Sequence, residues 1–403
     1  MRVGVGYADQ PDSHAAGAEA ARAAMAGLDR CDLVLLFSTS SHDPEALRAG
    51  VRSVVGPQPR ITGGWAVGTI TNDRLGYGGH QVGLAAFRLD SVGIELIAEG
   101  PLADAEQAVG RAIGERLAPL GPAPTLLLYD SVNRTTERGK LNMATPLLAG
   151  LEQALGGFPP LAGAGLCGDM VGSATRQWVG DEIRQQMALA LAFTGDVRMD
   201  TVIMHGCEPC TDYHTVTRAE GPVVLEIDGR PAVEVVSEWL GGEVPPQDYG
   251  FYVTLGMNMG DKWGAFDEAA YVNRMCLKVD TKRGALVMFE PDVGPGTEIQ
   301  LMHRSLALDY IAPKVEQAFA GLDGRRPVFA LYINCAGRAA AYAGLEDEDA
   351  AAVQAAVAGR VPLLGFYSGV EIAEVLGRPR PLDWTGVLCL FSLPGAAEAR
   401  QGP

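Results

Sequence analysis

The sequence predicts an α/β protein with mixed sheets, built from three related strand-helix-turn-strand units and a β-rich insert. The first observation is that three segments share one order: an apolar run, a helix-like stretch, a turn rich in proline and glycine, and a closing apolar run. These repeat segments span residues 33–87, 126–193 and 328–391. A repeat of this length is a complete supersecondary unit that buries its apolar face only against its copies. The second observation is a β-rich region, from Asp200 to about Leu308, that breaks the repeat.

The first repeat segment follows a short predicted strand, residues 3–6, and an alanine-rich helix, residues 14–28. After its opening strand, Asp43 and Pro44 mark the start of a second helix. Proline is tolerated at the first helical position because its missing N–H has no partner there. A glycine turn at Gly63 then precedes the closing strand.

The second repeat segment carries a predicted helix over residues 142–155, a glycine turn at Gly163 and a hairpin around Gly180. The third segment has its glycine turn at Gly365. Because the three turns fall at the same place in their segments, we expect them to gather at one end of the sheets. Open α/β sheets bind ligands beyond the carboxyl ends of their strands, so this end is the predicted ligand site.

The insert contains Asp228-Gly229 directly after an apolar run, which is a strong hairpin signal. A short helix over 231–240 and a strand over 286–289 follow. A helix over 305–319 leads into the third repeat segment. We predict two domains and a frayed tail, which occupy residues 1–200, 201–395 and 396–403.

Composition limits the partners and the compartment. The formal net charge is −17, which disfavours nucleic acid because the chain repels phosphate backbones. No apolar run approaches the roughly 18 residues that span a bilayer, so we expect no membrane partner. The first residues lack the long apolar core of a signal peptide. The 7 cysteines are scattered without a disulfide framework, which favours a reducing cytoplasm.

Residues 163–168 match the G-x-G-x-x-G pattern of dinucleotide-binding loops. That pattern indicates a dinucleotide only where a strand precedes it and a helix follows. Residues 169–179 lack a helical apolar stripe and contain Gly172. We therefore interpret the run as a tight turn.

Several motifs together resemble those of the bacterial FIST sensory proteins, whose name stands for F-box and intracellular signal transduction. The resemblance covers roughly residues 30 to 393. The motifs that carry it lie at residues 31–38, 63–64, 206–209, 215–218, 225–232, 334–338 and 364–372. The sequence departs from the family pattern in two places. Val370 stands where the family usually has glycine, and residues 382–385 replace a His-Asn-x-Thr-like run.

The resemblance implies a cytoplasmic sensory module with an N-terminal and a C-terminal FIST domain, which binds small ligands such as amino acids. It also implies partners in trans: a histidine kinase of a two-component system, a cyclic-di-GMP enzyme or a chemotaxis protein. A subgroup of the family is similar to haem-binding nitric-oxide sensors. We expect this protein to have no output domain of its own and to pass its ligand state to such a partner.

Cys335 and Arg338 follow a predicted buried strand and are candidate ligand-binding residues, together with Gly365 in the nearby turn. A guanidinium can hold a carboxylate with two parallel hydrogen bonds. The structural alternative is a buried thiol and an arginine that donates to backbone carbonyls.

Tyr367 and Glu371 follow the third glycine turn. With Arg338 they offer a cation, an anion and an aromatic surface, a combination that suits a zwitterion such as an amino acid. In the structural alternative, Tyr367 packs against the turn and Glu371 pairs with Arg338.

A second cluster forms an H-x-C-x2-C-x3-H run, and its members are His205, Cys207, Cys210 and His214. Compact zinc sites usually draw their ligands from two separated pairs, so we expect this cluster to be free of metal. If haem is bound, the two histidines are its candidate ligands. Two alternatives to a small-ligand sensor therefore stay open: a haem-based nitric-oxide sensor, and an enzyme that uses Cys335 or the 205–214 cluster. We expect no cofactor in the sensor itself.

Overall fold

Three mixed sheets, each of six strands, form the frame of the protein. The computed structural model describes residues 1–134 and 140–395, so the predicted tail at 396–403 lies outside it. In each sheet a central strand runs parallel to one neighbour and antiparallel to the other. The prediction of an α/β protein with mixed sheets is therefore confirmed. Within the described residues, none of the helices is both long and apolar enough to span a bilayer.

Unit 1 comprises residues 2–88. Its elements are β1 (Arg2–Asp9), α1 (Ser13–Met25), β2 (Leu33–Ser38), α2 (Pro44–Val55), β3 (Arg60–Trp65), β4 (Gly68–Thr71), β5 (Leu75–Tyr77) and β6 (Gln81–Arg88). The helix α2 begins where the sequence predicts. The Asp43 carboxylate accepts a hydrogen bond from the backbone N–H of Ala46 at 2.7 Å, and Pro44 occupies the first helical turn.

Unit 2 comprises residues 93–194. Its elements are β7 (Gly93–Glu99), α3 (Glu106–Leu117), a 3-10 turn (Ala118–Leu120), β8 (Thr125–Asp130), β9 (Val132–Asn133), β10 (Lys140–Leu141), α4 (Ala144–Leu155), β11 (Leu161–Leu166), β12 (Gln177–Val179), β13 (Glu182–Arg184) and β14 (Ala188–Thr194). The predicted hairpin around Gly180 is confirmed, since β12 pairs antiparallel with β13.

Unit 3 comprises residues 198–204 and 311–393, with the insert between them. Its elements are β15 (Arg198–Met204), α6 (Ile311–Ala320), β24 (Arg326–Cys335), a 3-10 turn (Ala336–Arg338), α7 (Ala340–Ala343), α8 (Asp349–Val357), β25 (Leu363–Ser368), β26 (Val370–Val375), β27 (Arg378–Leu382) and β28 (Gly386–Leu393). The helices of each unit pack in pairs, α1 on α2, α3 on α4 and α6 on α8.

The insert comprises residues 207–304 and forms an antiparallel barrel. Its elements are β16 (Cys207–Pro209), β17 (His214–Glu220), β18 (Val223–Ile227), β19 (Arg230–Pro231), α5 (Ala232–Trp239), β20 (Thr254–Asn258), β21 (Tyr271–Asp280), β22 (Ala285–Met288) and β23 (Glu298–Arg304), with 3-10 turns at Pro246–Asp248 and Glu268–Ala270. The ring runs β23-β17-β18-β22-β21-β20 and closes because β20 pairs with β23. The predicted hairpin at Asp228-Gly229 joins β18 to β19.

The units exchange hairpins around a closed ring. The strand β4 of unit 1 pairs with β25 of unit 3, β12 of unit 2 pairs with β3 of unit 1, and β26 of unit 3 pairs with β11 of unit 2. Each unit thus completes the sheet of another. The three central strands have the same pairing pattern, while the superposition of whole units stays a prediction.

The three predicted glycine turns are wrong, because Gly63, Gly163 and Gly365 lie inside the parallel strands β3, β11 and β25. These strands are covered on both faces, so they lack the alternation that marks an exposed strand. A Cβ added at each glycine would lie 2.0, 1.9 or 2.6 Å from a carbonyl oxygen of the neighbouring central strand. The G-x-G-x-x-G run at 163–168 is likewise a strand end and not a turn.

Aromatic side chains from the closing strands join the three units in one core. Phe193 of β14 lies between Phe87 of β6 and Phe391 of β28, with ring centroids 6.4 and 5.1 Å apart. All three rings are buried. This packing fixes the sheets, and with them the positions of the loops at the carboxyl ends of the parallel strands.

Candidate functional site

A cavity of about 270 Å³ lies at the carboxyl ends of the parallel strands of units 2 and 3, against the insert. We call it the central cavity. Its polar lining residues come from the units and are Ser131, Asn142, Cys167, Asp169, Cys335 and Ser368. The insert contributes apolar lining residues, which are Phe251, Met275, Leu277 and Phe289. Ligand pockets commonly measure roughly 300–1,000 Å³, so this cavity suits a compact molecule.

The central cavity adjoins a wider groove of about 540 Å³. The two share four lining residues, Val132, Leu141, Gly172 and Leu277. Met170 and Val171, which also line the cavity, are exposed on the loop after β11. The groove therefore offers a small molecule a path to the cavity.

Cys335 is the predicted site residue that lines the central cavity directly. It is the last residue of β24, and the 3-10 turn that follows carries Gly337 past its thiol. Burial, together with the nearby carboxyl of Glu371, raises the pKa of the Cys335 thiol well above its ordinary value. A nucleophilic cysteine needs a lowered pKa, so this environment favours binding over covalent chemistry.

Glu371 lies behind the cavity wall in β26 and is fully buried. The Ser368 hydroxyl, which lines the cavity, donates to its Oε1 at 2.8 Å, and the backbone N–H of Thr385 donates to its Oε2 at 3.3 Å. Burial raises the pKa of Glu371 well above its ordinary value, and Asp383 raises it further. Glu371 is thus connected to the cavity lining by its hydrogen bond with Ser368.

Arg338 is buried, and every guanidinium nitrogen contacts the protein. Its Nε and Nη2 lie 2.8 Å from the Asp349 carboxylate, and Nη2 also donates to the Tyr310 hydroxyl at 2.8 Å. Its Nη1 donates to the carbonyls of His205 and Trp384, at 2.9 and 3.2 Å. The carbonyl contacts are those of the structural alternative, but its ion pair is different, because Arg338 pairs with Asp349 and the partners of Glu371 are Ser368 and Thr385. The role of Arg338 as a ligand contact stays a prediction.

Tyr367 and Gly365 lie in β25 and are not among the residues that line the central cavity. The Tyr367 hydroxyl donates to Glu348 at 3.3 Å, and its ring meets Tyr77 edge-on with centroids 5.3 Å apart. Gly365 allows close approach of β25 to Tyr332 of β24. Both residues also contact unit 1, Tyr367 through Tyr77 and Gly365 by pairing with Ile70 of β4, and their role in ligand binding stays a prediction.

The four residues of the 205–214 cluster do not converge. His205 is buried, its Nδ1 accepts from the backbone N–H of Cys207 at 2.9 Å, and its Nε2 lies 3.1 Å from the Glu268 carbonyl. His214 lies beside Asp228, at 2.6 Å. Cys210 is exposed, and its thiol contacts the Leu301 carbonyl. In the part of the chain that the structure describes, no group of three or more His, Cys, Asp or Glu side chains could hold a metal ion.

The same contacts bear on haem. Both ring nitrogens of His205 face protein partners, and burial lowers the pKa of His205 to about 4. Neither His205 nor His214 lines the central cavity. His205 therefore does not fit an axial haem ligand, while haem binding at His214 stays a prediction.

Two further buried carboxyls join the insert to the units. Asp383 of unit 3 accepts a hydrogen bond from the backbone N–H of Met275 at 2.8 Å. Glu290 of the insert accepts from the backbone N–H groups of Ala144 and Thr145, at 2.8 and 2.9 Å, and so caps α4. Burial raises the pKa of Asp383 to about 6 and that of Glu290 to about 7.

Sequence reasoning missed Ser131, Asn142, Cys167 and Asp169. Cys167 and Asp169 directly follow β11, which the sequence presents as a glycine turn. A signal was present, because Leu161 to Leu166 is a short apolar run of the kind that a buried parallel strand shows. Ser131 is the first residue after β8, and Cys335 is the last residue of β24, so both lie at the carboxyl end of a central strand.

Comparison with protein families identifies the class of protein. The FIST N domain model matches residues 32–230, and the FIST C domain model matches residues 232–374. The chain therefore belongs to the FIST family, whose domains are sensor domains of signal transduction. The resemblance drawn from the motifs is confirmed, while the predicted boundary at residue 200 stays a prediction.

The curated relatives are described as uncharacterized proteins. A protein of Mycobacterium tuberculosis is 29% identical over 196 residues, which are 47% of this chain and 50% of the relative. A protein of Mycobacterium bovis is 30% identical over 195 residues, with the same coverage of 47% and 50%. The chain thus spans about half the length of the curated relatives it matches. Among solved structures, cyanuric acid hydrolase from A. caulinodans matches with a TM-score of 0.24 and 12% identity, covering 48% of this chain and 71% of that one.

Proposed function

We propose that this protein is a sensor in bacterial signal transduction that binds a small molecule in the central cavity. The observation that carries the proposal is the cavity itself. Loops of unit 2 and unit 3 and residues of the insert, far apart in sequence, converge on one pocket with an apolar body and a few polar groups. This combination is the usual form of a small-molecule site.

The lining supports a compact ligand with an apolar part and a few hydrogen-bonding groups. Phe251, Met275 and Phe289 would face the apolar part, while Ser131 and Ser368 would face the polar groups. Asp169 offers a negative charge to an amine. Burial alone would raise the pKa of Asp169, but hydrogen bonds from Ser173 and nearby backbone N–H groups outweigh this effect and lower it. Amino acids therefore remain in the proposed ligand class.

Ligand binding would be transmitted through the walls of the central cavity. A ligand shifts a conformational equilibrium only by its difference in affinity for the two states. A ligand held between unit 3 and the insert stabilises the relative arrangement of unit 3 and the insert in which both contact the ligand. We propose that a protein partner in the cytoplasm detects this arrangement, and that it is a histidine kinase, a cyclic-di-GMP enzyme or a chemotaxis protein.

The test combines native mass spectrometry with one cavity-filling variant. We expect wild-type protein to carry or take up a small molecule, and Leu277→Trp to lose it because the indole occupies the cavity. Leu306→Trp is the matched control, since Leu306 is 72% exposed and does not line the cavity. If Leu277→Trp binds the same molecule as wild type, the ligand lies elsewhere and the proposal is wrong.

A further inference from the structure

Arg304, the last residue of β23, is a half-buried arginine near the central cavity, and it is not among the residues that line the cavity. Its Nε and Nη2 donate to the Thr254 hydroxyl at 3.2 and 2.8 Å, and Nη2 also donates to the Phe251 carbonyl at 2.8 Å. Its guanidinium carbon lies 3.7 Å from the ring centroid of Trp384. These contacts fix the plane of the guanidinium group.

Among the described residues, the charge of Arg304 is not balanced by an acid. Within the described part of the chain it forms no ion pair, and its Nη1 makes no hydrogen bond. Burial lowers the pKa of Arg304 to about 10, because partial removal from water disfavours the charged form. The Nη1 nitrogen is not among the buried side-chain atoms that lack a partner, so it is accessible, and an unbalanced guanidinium group with an accessible nitrogen is suited to an anion that the protein itself does not supply.

Arg304 is connected to the wall of the central cavity on two sides. Phe251, whose carbonyl accepts from Arg304, lines the cavity, and Cys335, whose thiol is close enough to interact with the charge of Arg304, lines it as well. Trp384 packs in one cluster with Met275 and Cys335. The cation therefore stands at the edge where the insert meets unit 3.

Trp384 itself has an uncommon backbone conformation, with φ of 54°. A bulky residue rarely adopts this left-handed region, and such strain persists where the surroundings enforce it. Here the neighbouring residues are held on both sides, since Asp383 accepts from Met275 and the Thr385 N–H donates to Glu371. The strained turn keeps the indole ring against Arg304.

We propose that Arg304, which stands behind the lining residue Phe251, is an anion-binding residue at the edge of the central cavity, and that it binds the carboxylate of a ligand whose apolar body fills the cavity. This inference rests on the proposed function and names the charge of the ligand. It also assigns to Arg304 the task that the sequence suggested for Arg338.

The experiment uses small carboxylic acids and their amides as probes: propionate, hexanoate and benzoate against propionamide, hexanamide and benzamide. Binding to the full chain is measured by calorimetry at constant ionic strength. We expect at least one acid to bind more tightly than its amide. In Arg304→Gln the affinity for that acid should fall about ten- to a hundredfold, because a charge-assisted hydrogen bond is lost.

Two controls separate this inference from the proposed function. Arg325→Gln removes an arginine that pairs with Asp196 at the surface, and it should leave the affinity for the acid unchanged. Leu277→Trp should remove the binding of acids and amides alike. If Leu277→Trp removes binding but Arg304→Gln does not, the Arg304 inference is wrong and the cavity proposal survives. If wild type binds none of the six probes, the Arg304 inference is wrong and the cavity proposal is decided by the native mass spectrometry. If binding survives Leu277→Trp, both are wrong.

Discussion

Two arginines approach the ring of Trp384, and the protein treats their charges differently. The guanidinium carbon of Arg304 lies 3.7 Å from the ring centroid, and that of Arg338 lies 5.9 Å away. Arg338 pairs with the buried Asp349, whereas Arg304 has no acidic partner within the described residues. The difference teaches that position after a strand end does not decide what an arginine does. The presence or absence of a neighbouring acid decides whether the arginine has a structural role.

The largest expected effect tests the paired arginine. Arg338→Ala leaves Asp349 buried without its cation, and breaking a buried pair in this way costs about 3–5 kcal/mol of unfolding free energy. Arg304→Ala leaves no buried acid of the described residues without its partner, so it should cost less, about 1–2 kcal/mol from lost packing on Trp384. Urea denaturation of both variants measures the two losses. Equal losses would contradict the comparison.

A conservative change at the same position separates stability from binding. Arg338→Lys keeps the charge but loses the planar group that reaches Asp349, Tyr310 and two carbonyls. We expect a lower melting temperature and nearly unchanged affinity for the carboxylate probe. The reverse result, a stable variant with weakened binding, would return the ligand role to Arg338.

The third prediction concerns pH and Asp383, the residue that precedes Trp384. Burial raises the pKa of Asp383 from 3.8 to about 6. A carboxyl whose folded pKa is raised contributes stability that is complete below its unfolded pKa and is lost as pH rises through about 6. Wild type should therefore lose up to roughly 3 kcal/mol between pH 4 and pH 7 relative to Asp383→Asn, which cannot ionise.

Melting curves of wild type and Asp383→Asn at both pH values check this difference. Glu115→Gln, at an exposed position on α3, is the control for removing a carboxyl as such. Parallel pH profiles for wild type and Asp383→Asn would show that Asp383 does not titrate in this range. The strained turn at Trp384 would then not depend on its protonation.

Many elements of the frame could be predicted because short runs of adjacent residues determine them. The cap at Asp43, the hairpin at Asp228-Gly229 and the buried central strands each follow from a few adjacent residues. The glycine strands were misjudged because local glycine content normally indicates a turn. Here the carbonyl of a strand far away in sequence demands the glycine, and that neighbour is not visible in the sequence around Gly163.

The site was less predictable for the same physical reason. Cys335 could be placed because it ends an obvious strand. The pairing of Arg338 with Asp349 joins a strand end to a helix, and the approach of Arg304 to Trp384 joins the insert to unit 3. Such contacts depend on how the insert seats on the ring of units. Local sequence patterns predict strands and turns, but they do not reveal how the insert packs against the units.

The smallest expected effect concerns the ring that Arg304 and Arg338 share. If Trp384 orients Arg304 through its aromatic face, Trp384→Leu should weaken benzoate binding about two- to fivefold, since a cation–π contact contributes about 0.5–1 kcal/mol. Trp384→Phe keeps an aromatic face and should retain most of the affinity. Both variants place a bulky side chain at the same left-handed backbone position, so they share its strain and differ only in the ring. Calorimetry with benzoate measures the effect, and benzamide is the probe that should not respond. Equal losses in the leucine and phenylalanine variants would mean that the ring matters for packing alone, and that the two hydrogen-bond acceptors of Arg304, Thr254 and Phe251, suffice to hold the cation in place.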